Sequence, residues 1–255
     1  MDAVTLATWN LERPALASWK RLPAIRAVFA ELAADVWVLT ESRTSISPDY
    51  GFSGLHSPPH PARRPDTDER WVSVWSRWQL EPVEQAEQPW SVTGIVHSPV
   101  GPVLVRGVVL PYHAEPDGSG AKAIRWGEFL KVLEVETNAW TDLRRRYPSI
   151  PLIIAGDFNQ HLDGVGNYGD RRTRGPLLQA IERAGLRCLT DQDVVAAGKL
   201  SGRLVDHICV SEDLDIDGDP ICRERWTADA NGHRIVLSDH PLVGARLTMR
   251  TLAAK

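Results

Sequence analysis

The segment Pro151-Leu152-Ile153-Ile154-Ala155-Gly156-Asp157-Phe158-Asn159 decides the fold. Its apolar run is short and continuous, as in a strand covered on both faces, and it ends abruptly in a carboxylate and a carboxamide. A core strand that stops in this way delivers polar groups to the rim of a sheet. Asp157 and Asn159 stand two residues apart on extended chain, so they point the same way and can orient one water molecule. Taken alone, the string is equally an Asp/Asn turn after a buried strand.

Working outward, VTLATWN (4–10) alternates apolar and polar residues as a strand does. Leu16, Trp19, Ile25, Val28, Phe29 and Leu32 recur at helical spacing and predict a helix over 14–34. DVWVLTE (35–41) is a second strand, so Asn10 and Glu41 both fall at carboxyl ends of strands. The Pro-, Ser-, His- and Gly-rich stretch 42–68 reads as a loop around a short strand near 50–57. Strand-like runs at 71–75, 91–97 and 103–110 form an antiparallel meander. A second helix is predicted over 122–146, stopped by Pro148, and a third over about 174–184. Strands at 205–210 and 241–249 complete the chain. Each half therefore contains strand, helix and strand ending in an acid, an order that two sheets packed face to face with helices outside accommodates.

The 255 residues, 43% hydrophobic and 24% charged, suffice for one large domain spanning 1–255. The net charge of −4 argues against sequence-independent duplex binding through a broadly basic surface, which depends on phosphate neutralisation. The first strand begins almost at Met1, with no basic-then-apolar leader and no apolar stretch of about 18 residues. A cytoplasmic location and no membrane partner are the expectations. Cys188, Cys209 and Cys222 are odd in number and lack C-x-x-C spacing, so they read as buried or incidental thiols.

Ser238-Asp239-His240-Pro241 is a second dense polar cluster. Asp239 can bind a hard cation, and His240 can contact a phosphate or position a water. Asp206, inside the apolar LVDHI segment, needs a partner to offset burial of its charge, and His240 would satisfy it while fixing the ring tautomer. Glu41 suits Mg²⁺, which takes oxygen ligands, and Asn10 offers a neutral oxygen to the same ion or its waters. Each residue alone has a plainer reading as a capped turn or strand end; their convergence favours a site.

ATWNL (7–11), LTE (39–41), GDFN (156–159), VDHI (205–208) and SDHPL (238–242) resemble, in order and spacing, the motifs of the endonuclease/exonuclease/phosphatase superfamily, the deoxyribonuclease I-like fold. The resemblance runs from about Val4 to Leu247. It implies an α/β, four-layer sandwich in which two mainly antiparallel sheets are flanked by helices. It implies that Glu41 is the principal Mg²⁺ ligand, with Asn10 and Asp239 completing the metal site and Mn²⁺ as an alternative ion. Asp157 and Asn159 would be the water-activating and phosphate-orienting pair, and His240, held by Asp206, would contact the scissile phosphate. A central strand ending in Thr-His is usual in the family; here Pro111-Tyr112-His113 departs from that pattern, which leaves Tyr112 or His113 for the role, with His113 the candidate. The expected activity is divalent-metal-dependent hydrolysis of phosphodiester bonds in a nucleic acid or nucleotide-like substrate. The alternatives are a phosphomonoesterase or lipid- or inositol-type phosphoesterase, and a catalytically silent binding module. Loss of Glu41, Asp157, Asn159 or His240 would favour the last, and all four are present.

Overall fold

The computed structural model describes residues 3–59, 68–85, 87–116 and 124–250. In chain order the elements are β1 (Val4–Asn10), α1 (Arg21–Leu32), β2 (Val36–Arg43), β3 (Ser53–His56), β4 (Glu69–Ser76), β5 (Leu80–Pro82), β6 (Ser91–Ser98), β7 (Gly101–Val109) and α2 (Gly127–Arg146). There follow β8 (Leu152–Asp157), α3 (Arg171–Arg183), β9 (Leu186–Cys188), β10 (Asp206–Ser211), β11 (Leu214–Ile216), β12 (Ile221–Arg223), β13 (Trp226–Ala228), β14 (Arg234–Val236) and β15 (Leu242–Met249).

One sheet runs β11-β15-β1-β2-β4-β3, with β12 also on β15; the other runs β5-β6-β7-β8-β10-β9. Each is antiparallel except for one central parallel pair, β1 with β2 and β7 with β8. A parallel pair needs a crossover, and α1 and α2 supply the two. The sheets face one another through Val38, Val72, Val74, Val105, Ile153 and Ile208. The outer face of the first sheet packs Trp9, Trp37 and Leu39 on Ile25, Val28 and Phe29 of α1. The outer face of the second packs Leu104, Val108, Leu152 and Ile154 on Phe129, Leu133 and Trp140 of α2 and Leu177 of α3. The result is the four-layer α/β sandwich expected from the motifs. Six of the ten tryptophans, including Trp71, Trp75 and Trp126, are buried in these layers.

A buried ion pair fastens α2 to its sheet. Arg106 of β7 makes a bidentate contact to Glu136, Nε to Oε2 at 2.7 Å and Nη2 to Oε1 at 2.7 Å, and the Trp140 indole donates to Glu136 Oε2 at 2.9 Å. Ser91 and Thr93 hydroxyls each accept a guanidinium hydrogen bond at 2.7 Å, so both members of this ion pair are matched in the interior.

Element ends differ from the sequence reading where backbone chemistry intervenes. α1 begins at Arg21 rather than at 14, because Pro23 has no N–H and is accommodated only in a first turn. The preceding residues are turns that leave Leu16 and Trp19 exposed. α2 begins at Gly127 after Trp126, whose φ of 64° is left-handed, and residues 122 and 123 lie outside the described residues. α3 starts earlier than 174 because Asp170 caps it: its carboxylate accepts from Arg172 N at 2.8 Å, and Thr173 Oγ1 accepts from Asp170 N at 3.1 Å. The three-residue strands carry no detectable period and were not expected from the sequence.

At Gly156 two backbones approach closely inside the core. Its φ is 141°, and a Cβ there would lie 1.9 Å from the Val108 carbonyl oxygen on β7. Gly156→Ala is therefore expected to destabilise the fold by about 3 kcal/mol, read as a lower denaturant midpoint. An unchanged midpoint would show that β7 and β8 are free to separate.

Candidate active site

The two parallel pairs fix where polar side chains emerge. Asn10 ends β1, Glu41 lies near the end of β2, and Asp157 ends β8. Asp206 begins the antiparallel β10 directly opposite Asp157. The turn 237–241 before β15 brings in Asp239 and His240. With Asn159, two residues beyond the end of β8 and hydrogen-bonded to Asp157, seven of the eight residues singled out from the sequence converge on one rim.

Asn10 Nδ2 donates to Asp157 Oδ2 at 3.1 Å and to Glu41 Oε1 at 3.4 Å, bridging the two sheets. Asp157 also accepts from Asn159, at Oδ1 from the backbone N–H (2.8 Å) and at Oδ2 from Nδ2 (3.1 Å). Asn159 Nδ2 donates in addition to the Leu110 carbonyl at 2.8 Å, and the Tyr168 hydroxyl donates to Asn159 Oδ1 at 3.2 Å. With its amide oxygen and nitrogen so assigned, Asn159 cannot flip. Glu41 and Asn159 adopt φ of 45° and 50°, left-handed values that asparagine tolerates and glutamate rarely takes.

His240 Nδ1 lies 2.6 Å from Asp206 Oδ2. The histidine is anchored through its backbone, its N–H donating to Ser238 Oγ at 3.1 Å and its carbonyl accepting from the Trp9 indole at 3.1 Å. Ser238 Oγ donates to the Asn10 carbonyl at 2.6 Å and ties this turn to β1. Asp239 is exposed, with Oδ1 3.7 Å from His240 Nε2. One ligand atom from each of Asp157, Asp206 and His240 lies within 4.8 Å of the others.

The charges interact strongly at this distance. Burial raises the Asp157 carboxyl; the positive His240 pulls it down, Asp206 and Glu41 push it up, and the outcome is a pKa of about 7. Burial lowers the His240 imidazole, but the charges of Asp206 and Asp157, the hydrogen bond to Asp206 and the charge of Asp239 outweigh it and push it up to about 10. Burial likewise leads in pushing the Tyr168 phenol up to about 12, so it stays a hydrogen-bond donor.

A divalent cation fits the donors present. Two carboxylate oxygens, Glu41 Oε2 and Asp206 Oδ1, are buried and carry no hydrogen bond. The first faces the Arg13 guanidinium at 2.8 Å, so it already attracts positive charge. Glu41 and Asp239 supply carboxylate oxygen, as Mg²⁺ or Mn²⁺ requires, whereas Asn10 turns its Nδ2 to the site and its Oδ1 accepts from Glu12 N at 2.8 Å, so its amide has to turn before its oxygen can serve an ion.

His113 stands beside this network, half-buried in an aromatic cluster with ring centroids 5.6 Å from Tyr112, 5.8 Å from Trp126 and 6.1 Å from Tyr168. Tyr112 is 40% exposed at the mouth of the cluster. His207 is buried, with Nε2 donating to the Gln160 carbonyl at 2.9 Å. The sequence reading missed Tyr168 and Arg13: Tyr168 lies in a loop of mixed composition, and Arg13 is one of many arginines. Arg174 donates to the Gly166 carbonyl at 2.6 Å.

No family model and no curated protein sequence matches the chain. Solved structures do. The endonuclease domain of TRAS1, a telomere-specific non-LTR retrotransposon, is similar at 18% identity and a TM-score of 0.63 over 98% of this chain and 100% of that one. The human Nocturnin catalytic domain with bound sulfate is similar at 14% identity and a TM-score of 0.64, over 97% of this chain and 95% of that one. A mannosyl-6-phosphatase of Bacteroides thetaiotaomicron is similar at 14% identity and a TM-score of 0.62, over 96% of this chain and 100% of that one. The chain has the endonuclease/exonuclease/phosphatase fold that its motifs resemble.

The His240 proton sets the expected pH response. Its folded pKa lies above the unfolded value of about 6.5, so the stabilisation is complete below that pH and is lost as pH rises through about 10. Asp157, also raised, acts with the same sign, its contribution disappearing as pH rises through about 7. In chelator-treated protein, NMR titration of the His240 ring should give a midpoint well above 7, and Asp206→Asn should lower it. A midpoint near the ordinary histidine value in the unaltered protein would contradict the Asp206 pairing.

Proposed function

We propose that this chain is a divalent-metal-dependent hydrolase of phosphodiester bonds in a nucleic acid or nucleotide-like substrate. The observation that carries the reading is geometric: Asp157, Asp206 and His240 each bring a ligand atom within 4.8 Å of the others at one rim, with Asp206 Oδ2 2.6 Å from His240 Nδ1; burial raises the Asp157 carboxyl and the neighbouring carboxylates raise the imidazole. A carboxylate near neutrality is matched to taking a proton from water, and an imidazolium to stabilising charge on a phosphoryl oxygen.

Asn10, Glu41 and Asp239 would hold the ion, which when bound supplies positive charge against the non-bridging oxygens of the phosphate. Asp157 Oδ accepts the proton of the attacking water, whose oxygen forms the new bond to phosphorus. Asn159, locked by Tyr168 and the Leu110 carbonyl, keeps Asp157 oriented through its backbone N–H and its amide. Asp206 keeps His240 Nδ1 protonated, leaving Nε2 to donate to a phosphoryl oxygen. The bond to the leaving oxygen breaks as that oxygen takes a proton, for which His113 is the assigned donor.

The exposed Tyr112 at the edge of the aromatic cluster offers a stacking face to a base, which favours a nucleotide-bearing substrate over a sugar phosphate. Among the described residues no helix is long and apolar enough to cross a membrane. The similarity to a mannosyl-6-phosphatase makes phosphomonoesters the second class to assay.

Turnover should be measured with Mg²⁺ on single-stranded and duplex DNA, RNA, nucleotides and phosphomonoesters. EDTA should abolish hydrolysis, and Asp157→Ala and His240→Ala should each lower kcat by at least ~100-fold. Hydrolysis that survives both EDTA and Asp157→Ala would overturn the mechanism, and preference for phosphomonoesters would move the chain to the phosphatase class.

A further inference from the structure

Cys188 and Cys209 were unremarkable in the sequence, twenty-one positions apart with no shared motif. The fold makes them direct cross-strand partners in the β9–β10 ladder. The adjacent pair is joined by a hydrogen bond from Leu189 N to the Ile208 carbonyl at 2.8 Å. Hydrogen-bonded and non-hydrogen-bonded pairs alternate along an antiparallel ladder, so the two cysteines occupy a non-hydrogen-bonded position. At such positions Cα atoms sit about 4.5 Å apart with side chains on one face, inside the range that a disulfide spans. Cys209 belongs to the core on the helix side of the sheet, and Cys188 packs against that core.

The two residues differ in exposure. β9 is the edge strand, and Cys188 is half-buried whereas Cys209 is fully buried. Cys188 also has polar company: its Sγ lies 3.8 Å from His207 Nδ1 and 3.6 Å from Thr190 Oγ1. We infer that Cys188 and Cys209 are a hydroperoxide-reactive dithiol, Cys188 the attacking thiol and Cys209 the resolving one, closing to a reversible disulfide between β9 and β10. In keeping with this order, the Cys188 thiol is held well below the usual thiol range, chiefly by the Cys209 thiol and against burial, with His207 adding to the effect. Burial pushes Cys209 up.

The chemistry balances with hydrogen peroxide as oxidant. The Cys188 thiolate attacks one peroxide oxygen, the O–O bond breaks, and hydroxide leaves as water after taking a proton, giving a sulfenic acid. Cys209 sulfur then attacks the Cys188 sulfur, the S–OH bond breaks, and a second water leaves with the Cys209 proton. Two thiols are oxidised to one disulfide while one peroxide is reduced to two waters. Cys222, on β12 opposite Val243, is raised by burial and stands apart from the pair.

The full chain should be treated with hydrogen peroxide in slight excess, then analysed by thiol titration and by peptide mapping without reduction. The inference expects titratable thiols to fall from three to one, a Cys188–Cys209 cross-linked peptide within one chain, and full recovery with dithiothreitol. Cys209→Ser should stop the reaction at a Cys188 sulfenic acid that a cyclic dione traps. Oxidation of Cys222 ahead of Cys188, cross-linking between chains, or direct over-oxidation of Cys188 in the unaltered protein would each overturn it. Mapping of the unaltered protein decides the question even where a variant fails to fold.

Discussion

Two carboxylates, Asp157 and Asp206, are buried as direct partners across one ladder, and the surrounding structure answers to their repulsion. Like charges placed opposite one another in a sheet are destabilising, and burial magnifies the effect. The positive charge of His240 lies within 4.8 Å of both. Amide donors from Asn10 and Asn159 complete the satisfaction of Asp157. Remove the proton on His240 and the rim holds uncompensated negative charge; supply a cation and the charge finds its complement. Burial first, and then the charges of Asp206 and Glu41, raise the Asp157 carboxyl to about 7 against the pull of His240.

The scaffold makes that tension tolerable by holding each group from a different element. Asn10 and Asp157 come from opposite sheets, and Ser238 ties the His240 turn to the backbone at Asn10. The left-handed backbone at Glu41 and Asn159 and the close approach at Gly156 concentrate local strain around the same rim. The Arg106–Glu136 pair and the faces of α1, α2 and α3 then keep the sheets from relaxing it.

Much of this could be read in the sequence because strand ends and the candidate polar residues coincide there. The apolar runs before Asn10, Glu41 and Asp157 mark buried strands, and a polar residue at the end of such a run has nowhere to go but the rim. Asp206 with His240 was legible for a related reason, since a carboxylate in an apolar segment requires a partner. The start of α1 was not, because periodicity through Leu16 and Trp19 outweighed the breaking effect of Pro23. Tyr168 and the Cys188–Cys209 pair were hidden because long-range register, not local pattern, places them. Among the described residues His113 meets the site through its aromatic neighbours Tyr112, Trp126 and Tyr168.

If Asp157 directs water at phosphorus, the bond that forms is between the water oxygen and the phosphorus atom. Hydrolysis of a short oligonucleotide in water labelled with heavy oxygen, with Mg²⁺ present and the products weighed by mass spectrometry, reports that bond directly. One labelled oxygen should appear in the phosphate-bearing product and none in the released alcohol. Label in the alcohol, or products carrying no label, would contradict attack by an Asp157-activated water.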